Sequence, residues 1–228
     1  MAATAPPRAD LPRWAETLRQ KYLAGEASTF VLYRNVFDNF LVSGKLHGLQ
    51  SFLVEELFKD TKKRVVEVSL ERGIRHLSGK PNVALAALSQ DSGLEPSLLQ
   101  SLHVLEAQMR SEQSTAVIVP YADALLPAGE PSFMAQQDRQ TYLAFHRWSL
   151  DASLTQGDNI TILITESLGA INPGLLSNPK VSAIEIPMPD LAQRKRVIAF
   201  FAPKLNEQQV TLFSERTGGL RTVQLASI

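Results

Sequence analysis

Two Gly-Lys pairs and one polar loop are the places in this sequence where phosphate chemistry would be expected. A phosphate-binding loop of the form G-x-x-x-x-G-K-[ST] follows a strand, and its backbone N–H groups, lysine and hydroxyl bind phosphate and magnesium. The loop at residues 34–39 follows a β-type run at residues 29–33 but contains no glycine. Lys45 and Lys80 each follow a glycine, yet the next residues are leucine and proline. We therefore predict that both Gly-Lys pairs are turns with a solvent-exposed lysine.

Strand and helix patterns alternate along the chain, which is typical of an α/β domain. The β-type runs lie at residues 29–33, 65–68, 115–119, 160–164 and 183–186, and the helical patterns at residues 11–23, 49–58, 98–110, 138–150, 191–201 and 206–216. A strand, loop, helix and strand within roughly 40 residues form a βαβ unit, which implies a parallel sheet. The apolar strands at 117–119 and 160–164 are expected in its centre, because such strands are buried on both faces.

The remaining segments are predicted to be irregular. Residues 71–97 carry Gly, Pro, Ser and Asn between short apolar runs and are predicted to be mostly loop, with a helical turn at 83–88. Residues 1–12 are rich in Ala and Pro and are predicted to be a disordered lead-in.

Three motifs resemble the AAA+ ATPase family. The sequence YADAL at 121–125 resembles the family's Walker B signature, NPGLL at 172–176 its turn after the sensor-1 strand, and IEIPMPD at 184–190 its joint between the last strand and the lid. They occur in the family's order, and the resemblance spans about residues 29–228. It implies a three-layer αβα, P-loop NTPase-like core with a parallel sheet, followed by the start of an α-helical lid.

This resemblance implies three segments. Residues 1–27 would be a lead-in with an amphipathic helix, residues 28–189 the AAA+-like core, and residues 190–228 a partial lid. The basic face of the helix that begins at Leu191 is predicted to be solvated, and Leu191, Val197, Ile198 and Phe201 are predicted to form its apolar face.

The residues at the family's functional positions do not fit ATP hydrolysis. The two carboxylates that bind magnesium and activate water in the family correspond here to Pro120 and Tyr121. Asp123 occupies a third acidic position and is predicted to cap the following turn. Glu166 stands near the family's polar sensor position, where it would repel a triphosphate. Lys180 is the cation in the stretch where family members carry arginines that reach the neighbouring subunit's ATP, but lysine lacks the arginine fork.

The positions equivalent to the family's nucleotide site are therefore Arg34, Asn35, Asp123 and Glu166, and Lys180 is the candidate interface residue. Arg34 and Asn35 are the loop residues that can contact an anion near the start of the following helix.

Composition narrows the function classes. Lys plus Arg and Asp plus Glu both number 23, which argues against broad binding to nucleic acid or to acidic membrane. The absence of cysteine excludes disulfides and thiolate metal sites, and the four histidines lack ligand spacing. The sequence has neither a signal-peptide pattern nor an apolar run near the ~18 residues of a membrane span. We therefore predict a cytoplasmic protein without a membrane segment.

The resemblance implies a catalytically degenerate AAA+ module that serves oligomerisation, substrate engagement or regulation in an ATP-driven protein-remodelling machine. Its partners would be a protein substrate and either identical subunits in a ring or a tandem AAA+ domain. No cofactor is expected in this segment, and ATP and magnesium would bind a downstream AAA+ domain after residue 228, as in bacterial proteins with similar N-terminal sequences. Two alternatives remain: a nucleotide-binding module without hydrolysis that uses the loop at 34–39, and an interaction scaffold unrelated to ATP.

Overall fold

The computed structural model describes residue 8 and residues 11–81, 97–111 and 114–227. The predicted lead-in at 1–12 lies mostly, and the predicted turn at 83–88 entirely, outside these residues. The strands are β1 (Thr29–Arg34), β2 (Asn39–Val42), β3 (Lys45–Gly48), β4 (Arg64–Ser69), β5 (Gly73–Ser78), β6 (Thr115–Val119), β7 (Ile160–Thr165) and β8 (Val181–Ile186). The helices are α1 (Arg13–Leu23), α2 (Leu49–Phe52, continued by the π-helical Leu53–Leu57), α3 (Leu98–Arg110), α4 (Ala122–Leu125), α5 (Gln136–Leu150), α6 (Ala152–Thr155), α7 (Pro173–Leu176), α8 (Leu191–Phe201), α9 (Glu207–Arg216) and α10 (Thr222–Leu225), with a 3₁₀ turn at Leu168–Ala170.

Six strands form one sheet in the order β5-β4-β6-β7-β1-β8. All neighbours are parallel except β5, which runs antiparallel to β4 at the edge. The fully buried strands β6 and β7 lie in the centre, as the sequence predicted. One apolar core packs the sheet against α1 and α2, and a second packs the opposite face against α3 and α5. The three-layer α/β prediction is thus confirmed.

Two strand features were not predicted. The segment after β1 forms the antiparallel hairpin β2–β3, whose turn residues Ser43 and Gly44 both have positive φ, at 51° and 74°. Such a two-residue turn matches the twist of its strands, and glycine adopts its second position without strain. Lys45 is exposed at this turn, and Lys80 is exposed after Gly79, so both Gly-Lys pairs lie at exposed bends as predicted. The second feature is strand β5, which lies within the loop predicted at residues 71–97.

An aromatic cluster joins α1, the hairpin and α2. The Trp14 ring lies 5.5 Å from Phe40 and 5.2 Å from Phe52, and Phe40 lies 5.8 Å from Phe52, measured between centroids. Phe52 is fully buried and Trp14 nearly so. This cluster fixes the hairpin, and with it the loop that leads from β1 into the hairpin.

A buried lysine anchors α1 at the amino edge of the sheet. The Lys63 ammonium donates to the Tyr22 hydroxyl and the Ser114 hydroxyl, both at 2.9 Å, and lies 2.8 Å from a carboxylate oxygen of Asp158. Burial lowers the pKa of Lys63, against the opposing effect of Asp158. These contacts hold together the segments that precede β4, β6 and β7.

The helices α8, α9 and α10, called here the C-terminal helices, share a small apolar cluster. Val197, Ile198 and Leu225 are buried in it, and Leu41 of the hairpin packs against them. Leu191 and Phe201, the other two residues assigned to the apolar face of α8, are 42% and 37% exposed.

The predicted solvated basic face of α8 was wrong in part. The Arg194 side chain is half-buried and donates to the carbonyls of Ser214 and Pro189 at 2.9 and 2.7 Å. It therefore ties α8 to α9, whereas Arg196 is exposed.

Among the described residues, we find no helix with the length and apolar character that a membrane crossing requires.

Candidate functional site

The carboxyl ends of β6, β7 and β1 lie side by side at one edge of the sheet, because these three strands are parallel neighbours. In open α/β sheets ligands bind at this edge. The sequence-predicted residues Arg34, Asn35 and Glu166 follow β1 and β7 there, and Asp123 follows β6. The Arg34 N–H donates to the Glu166 carbonyl at 3.0 Å, so two of these segments are in direct contact.

Arg34 is ion-paired, through its guanidinium, with a carboxylate of the protein itself. Its backbone is left-handed, with φ of 81°, and its guanidinium forms an ion pair with Glu185 of the adjacent strand β8. The Arg34 side chain is 61% exposed. An anion that approaches this edge would compete with Glu185 for the guanidinium.

Asn35 is buried and holds the loop in place. Its amide Nδ2 donates to Asp38 Oδ2 at 2.9 Å and to the Pro187 carbonyl at 3.4 Å. Its Oδ1 is buried without a hydrogen-bond partner. Asn35 and Asp38 help to line a cavity of about 110 Å³ between the loop and the C-terminal helices. Ligand pockets typically have volumes of about 300–1,000 Å³, so this cavity is small for a nucleotide.

Asp38 is the residue that the sequence reasoning missed. It is 2% exposed, and its carboxylate accepts four N–H groups. Oδ2 accepts from Asn35 Nδ2 and from the Thr222 backbone, and Oδ1 accepts from the backbones of Asn39 and Val223, at 2.9–3.0 Å. The core loop is thereby hydrogen-bonded to the start of α10. An acidic residue in a loop after a buried strand was the available signal.

Aromatic side chains occupy the edge after β6. Tyr121 has a left-handed backbone, with φ of 50°, and is 61% exposed. Its ring lies 5.5 Å from that of Phe37, which is 45% exposed. A bulky residue in this conformation is a backbone outlier, and outliers of this kind are frequent at functional sites. Pro120 and Tyr121 supply no carboxylate at the end of β6.

Asp123 and Glu166 follow different strands and have different surroundings. Asp123 is half-buried in the first turn of α4, a helix without a side-chain cap, so its predicted capping role is wrong. The Glu166 side chain is 56% exposed, and its Oε1 lies 3.8 Å from a guanidinium nitrogen of Arg221. This weak pair again links the sheet edge to the C-terminal helices.

Lys180 lies elsewhere. It precedes β8 and so stands at the amino edge of the sheet, opposite to the other candidates. Its Nζ donates to the Gly25 carbonyl at 3.1 Å, and it lines an open cavity of about 590 Å³ with the end of α1 and Asp158. The side chain is exposed, as a residue at an interface requires.

The described part of the chain contains no group of three or more His, Asp or Glu side chains placed to hold a metal ion. Its candidate edge instead carries ion-paired guanidinium and carboxylate groups, a saturated buried carboxylate and two aromatic rings.

The chain is similar to known proteins in its sequence and in its fold. Residues 5–187 match the family model described as "AAA+ chaperone, N-terminal Rossmann-like domain". A search of curated proteins found no significant match. Among the solved structures that match is a chain of the E. coli MS115-1 HORMA:CdnC:Trip13 complex, with 16% sequence identity and a TM-score of 0.54. The alignment covers 88% of this chain and 62% of that one, and at this identity it shows a shared fold.

Proposed function

Because the chain belongs to the family of AAA+ chaperone N-terminal Rossmann-like domains, we propose that it is a catalytically degenerate AAA+ module of an ATP-driven protein-remodelling machine. The module contributes oligomerisation, engagement of a protein substrate or regulation. The C-terminal helices form the start of its lid. ATP and magnesium chemistry then belongs to a separate AAA+ domain of the same protein or assembly, which the N-terminal position of the family's domain supports.

The observation that carries this proposal is the make-up of the sheet's carboxyl edge. Phosphoryl transfer depends almost entirely on positioning and on electrostatic stabilisation of phosphate charge. Here the loop after β1 lacks glycine, and one of its buried side chains is the carboxylate of Asp38. The end of β6 carries Pro120 and Tyr121 where the resemblance would require carboxylates. An anionic ligand would therefore find no glycine N–H groups and no lysine in this loop, and the exposed Arg34 guanidinium is already paired with Glu185.

The neighbouring structure supports the broader part of the proposal. That structure is of a complex of HORMA, CdnC and Trip13. We extend a protein-partner role to this chain as part of the proposal. The exposed Lys180 at the amino edge is our candidate for a contact between subunits.

We expect the purified chain to show neither nucleotide binding nor magnesium-dependent ATP turnover. Titration calorimetry with ATP and with ATPγS, each with magnesium, should give no saturable heat up to millimolar nucleotide, and phosphate release should equal that of a heat-inactivated sample. The chain lacks both the glycine loop that binds phosphate and the two carboxylates that bind magnesium and activate water. Each of these features is typically worth on the order of 10²-fold or more in rate.

The matched variant for this test is Arg34→Ala, since Arg34 is the candidate cation nearest to the loop. Micromolar binding that disappears in Arg34→Ala would overturn the proposal and favour a nucleotide-binding module without hydrolysis. The unpaired Oδ1 of Asn35 beside the small cavity is the observation that favours this second function.

A further inference from the structure

Asp38 joins two parts of the chain that lie 184 residues apart in sequence. Its loop follows β1, and its carboxylate accepts the backbone N–H groups of Thr222 and Val223 at 2.9 and 3.0 Å. The remaining two donors, from Asn35 and Asn39, come from its own loop. A carboxylate that accepts four N–H groups at these distances has its hydrogen-bonding capacity filled.

Burial makes these hydrogen bonds strong. Asp38 is 2% exposed, and Thr222 is 3% exposed. Charge-assisted hydrogen bonds are roughly twice as strong as neutral ones, and they strengthen in a low-dielectric interior. Removal of the carboxylate would leave the N–H of the buried Thr222 and that of the more exposed Val223 without this acceptor, and the loss is costly for the buried donor.

Two further contacts lie beside this link. Leu41, three residues after Asp38, packs against the apolar cluster of the C-terminal helices. The Arg221 guanidinium, one residue before Thr222, lies 3.8 Å from Glu166, but both side chains are partly exposed. Exposed pairs contribute little to stability, so Asp38 makes the stronger of these two polar contacts between the loop edge and α10.

We propose that Asp38 is a latch that holds the C-terminal helices against the core in the absence of any ligand. Its hydrogen bonds to the backbones of Thr222 and Val223 need no bound ligand. The closed arrangement is therefore a property of the chain itself, and Asp38 sets the equilibrium between docked and undocked C-terminal helices. This inference does not depend on the proposed function, because it concerns the ligand-free chain.

The test is amide hydrogen exchange by NMR on the nucleotide-free chain. In Asp38→Ala, we expect exchange at Thr222, Val223 and Leu225 to accelerate at least tenfold. Amides of the central strands β6 and β7 should remain the slowest to exchange, as expected if the C-terminal helices undock while the sheet stays folded. A folded Asp38→Ala variant with wild-type exchange at Thr222 and Val223 would overturn the latch. If Asp38→Ala does not fold, Asp38→Asn of the same shape takes its place, with an expected acceleration of at least threefold.

The matched control is Asp123→Asn, since Asp123 lies near the same sheet edge without a role in the junction. It should leave exchange at Val223 unchanged, and equal acceleration in this control would also contradict the latch. A variant on the other partner gives an independent test. Thr222→Pro removes one donor at the first helical position, where proline is tolerated. It should accelerate exchange at Val223, and Asp38→Ala should add less than its full effect in that background.

If the accelerations of Val223 exchange by Asp38→Ala and by Thr222→Pro multiply fully in the double variant, the two residues act separately. That result would contradict the latch. Nucleotide binding by the wild-type chain would contradict the proposed function and leave these exchange results in force. The two ideas can therefore fail independently.

Discussion

Replacement of Phe52 by alanine is expected to lower the free energy of unfolding by about 3–5 kcal/mol, the usual range for a buried phenylalanine. Phe52 is fully buried and contacts the rings of Trp14 and Phe40. The substitution removes apolar burial and both aromatic contacts, and it leaves a cavity that α1 and the hairpin cannot both fill. Because the free energy of unfolding of a domain is only about 5–15 kcal/mol, this one substitution removes a large part of it.

Urea denaturation followed by tryptophan fluorescence measures this loss, since Trp14 is part of the cluster. The matched control is Phe133→Ala, which removes the same atoms from a side chain that is 86% exposed. The control should change the unfolding free energy by less than about 0.5 kcal/mol. A Phe52→Ala loss below about 1 kcal/mol would show that the cluster does not fix the hairpin.

Five of the strands could be predicted from sequence, whereas the edge strand β5 and the hairpin β2–β3 could not. The central strands β6 and β7 are buried on both faces, and their continuous apolar runs report this directly. The edge strand β5 carries the exposed Arg75 and His76, so it lacks an apolar run. Charged residues are common on edge strands because they discourage pairing with other chains. The hairpin strands β2 and β3 are short and only partly buried, so their pattern resembled a loop.

The candidate site was predictable only as far as strand order determines it. Arg34, Asn35 and Glu166 meet because they follow neighbouring strands, and a parallel sheet places such residues at one edge. The contact between Asp38 and Thr222 depends on how the C-terminal helices dock, which no local pattern encodes. The loop containing Asp38 was recognised, but the sequence offered no partner for its carboxylate.

The left-handed Tyr121 shows a second limit of sequence reasoning. The motif YADAL correctly located the end of β6 and the following helical turn. Local preference alone gives no reason for a bulky residue with φ of 50°, since this conformation is rare outside glycine, asparagine and aspartate. The conformation is imposed by the surrounding fold, where β6 must end and α4 must begin within two residues.

Glu106 is the second residue whose replacement should have a large effect. It lies on α3 and is 8% exposed, and it accepts hydrogen bonds from Trp148 Nε1 at 2.9 Å, from Arg110 at 2.8 Å, and from Arg147. Trp148 and Arg147 belong to α5, so the carboxylate links the two helices that cover one face of the sheet. Burial alone would raise the pKa of Glu106, but the hydrogen bonds from Arg110, Trp148 and Arg147 outweigh it and hold the pKa below 4.5.

Glu106→Gln should lower the free energy of unfolding by about 2 kcal/mol at pH 7, in the range of hydrogen bonds to charged groups. The pH dependence follows from the lowered pKa. Since folding favours the ionised carboxylate, its contribution is complete above the unfolded pKa near 4.5 and is lost as the pH falls through the lower folded value. The difference between the wild type and Glu106→Gln should therefore be constant from neutral pH to about 5.5 and shrink below about 4.5.

Urea denaturation at a series of pH values measures both quantities. Glu71→Gln is the control, because Glu71 is 80% exposed and lies 3.6 Å from Arg72, which is 54% exposed. Exposed pairs contribute about 0–1 kcal/mol, so this control should stay near the wild type at every pH. A Glu106→Gln difference that persists unchanged at pH 3 would mean that side-chain shape, rather than the charge of Glu106, stabilises the contact between α3 and α5. Because folding favours the ionised form of Glu106, we expect the contact between α3 and α5 to contribute less to the free energy of unfolding as the pH falls below about 4.5.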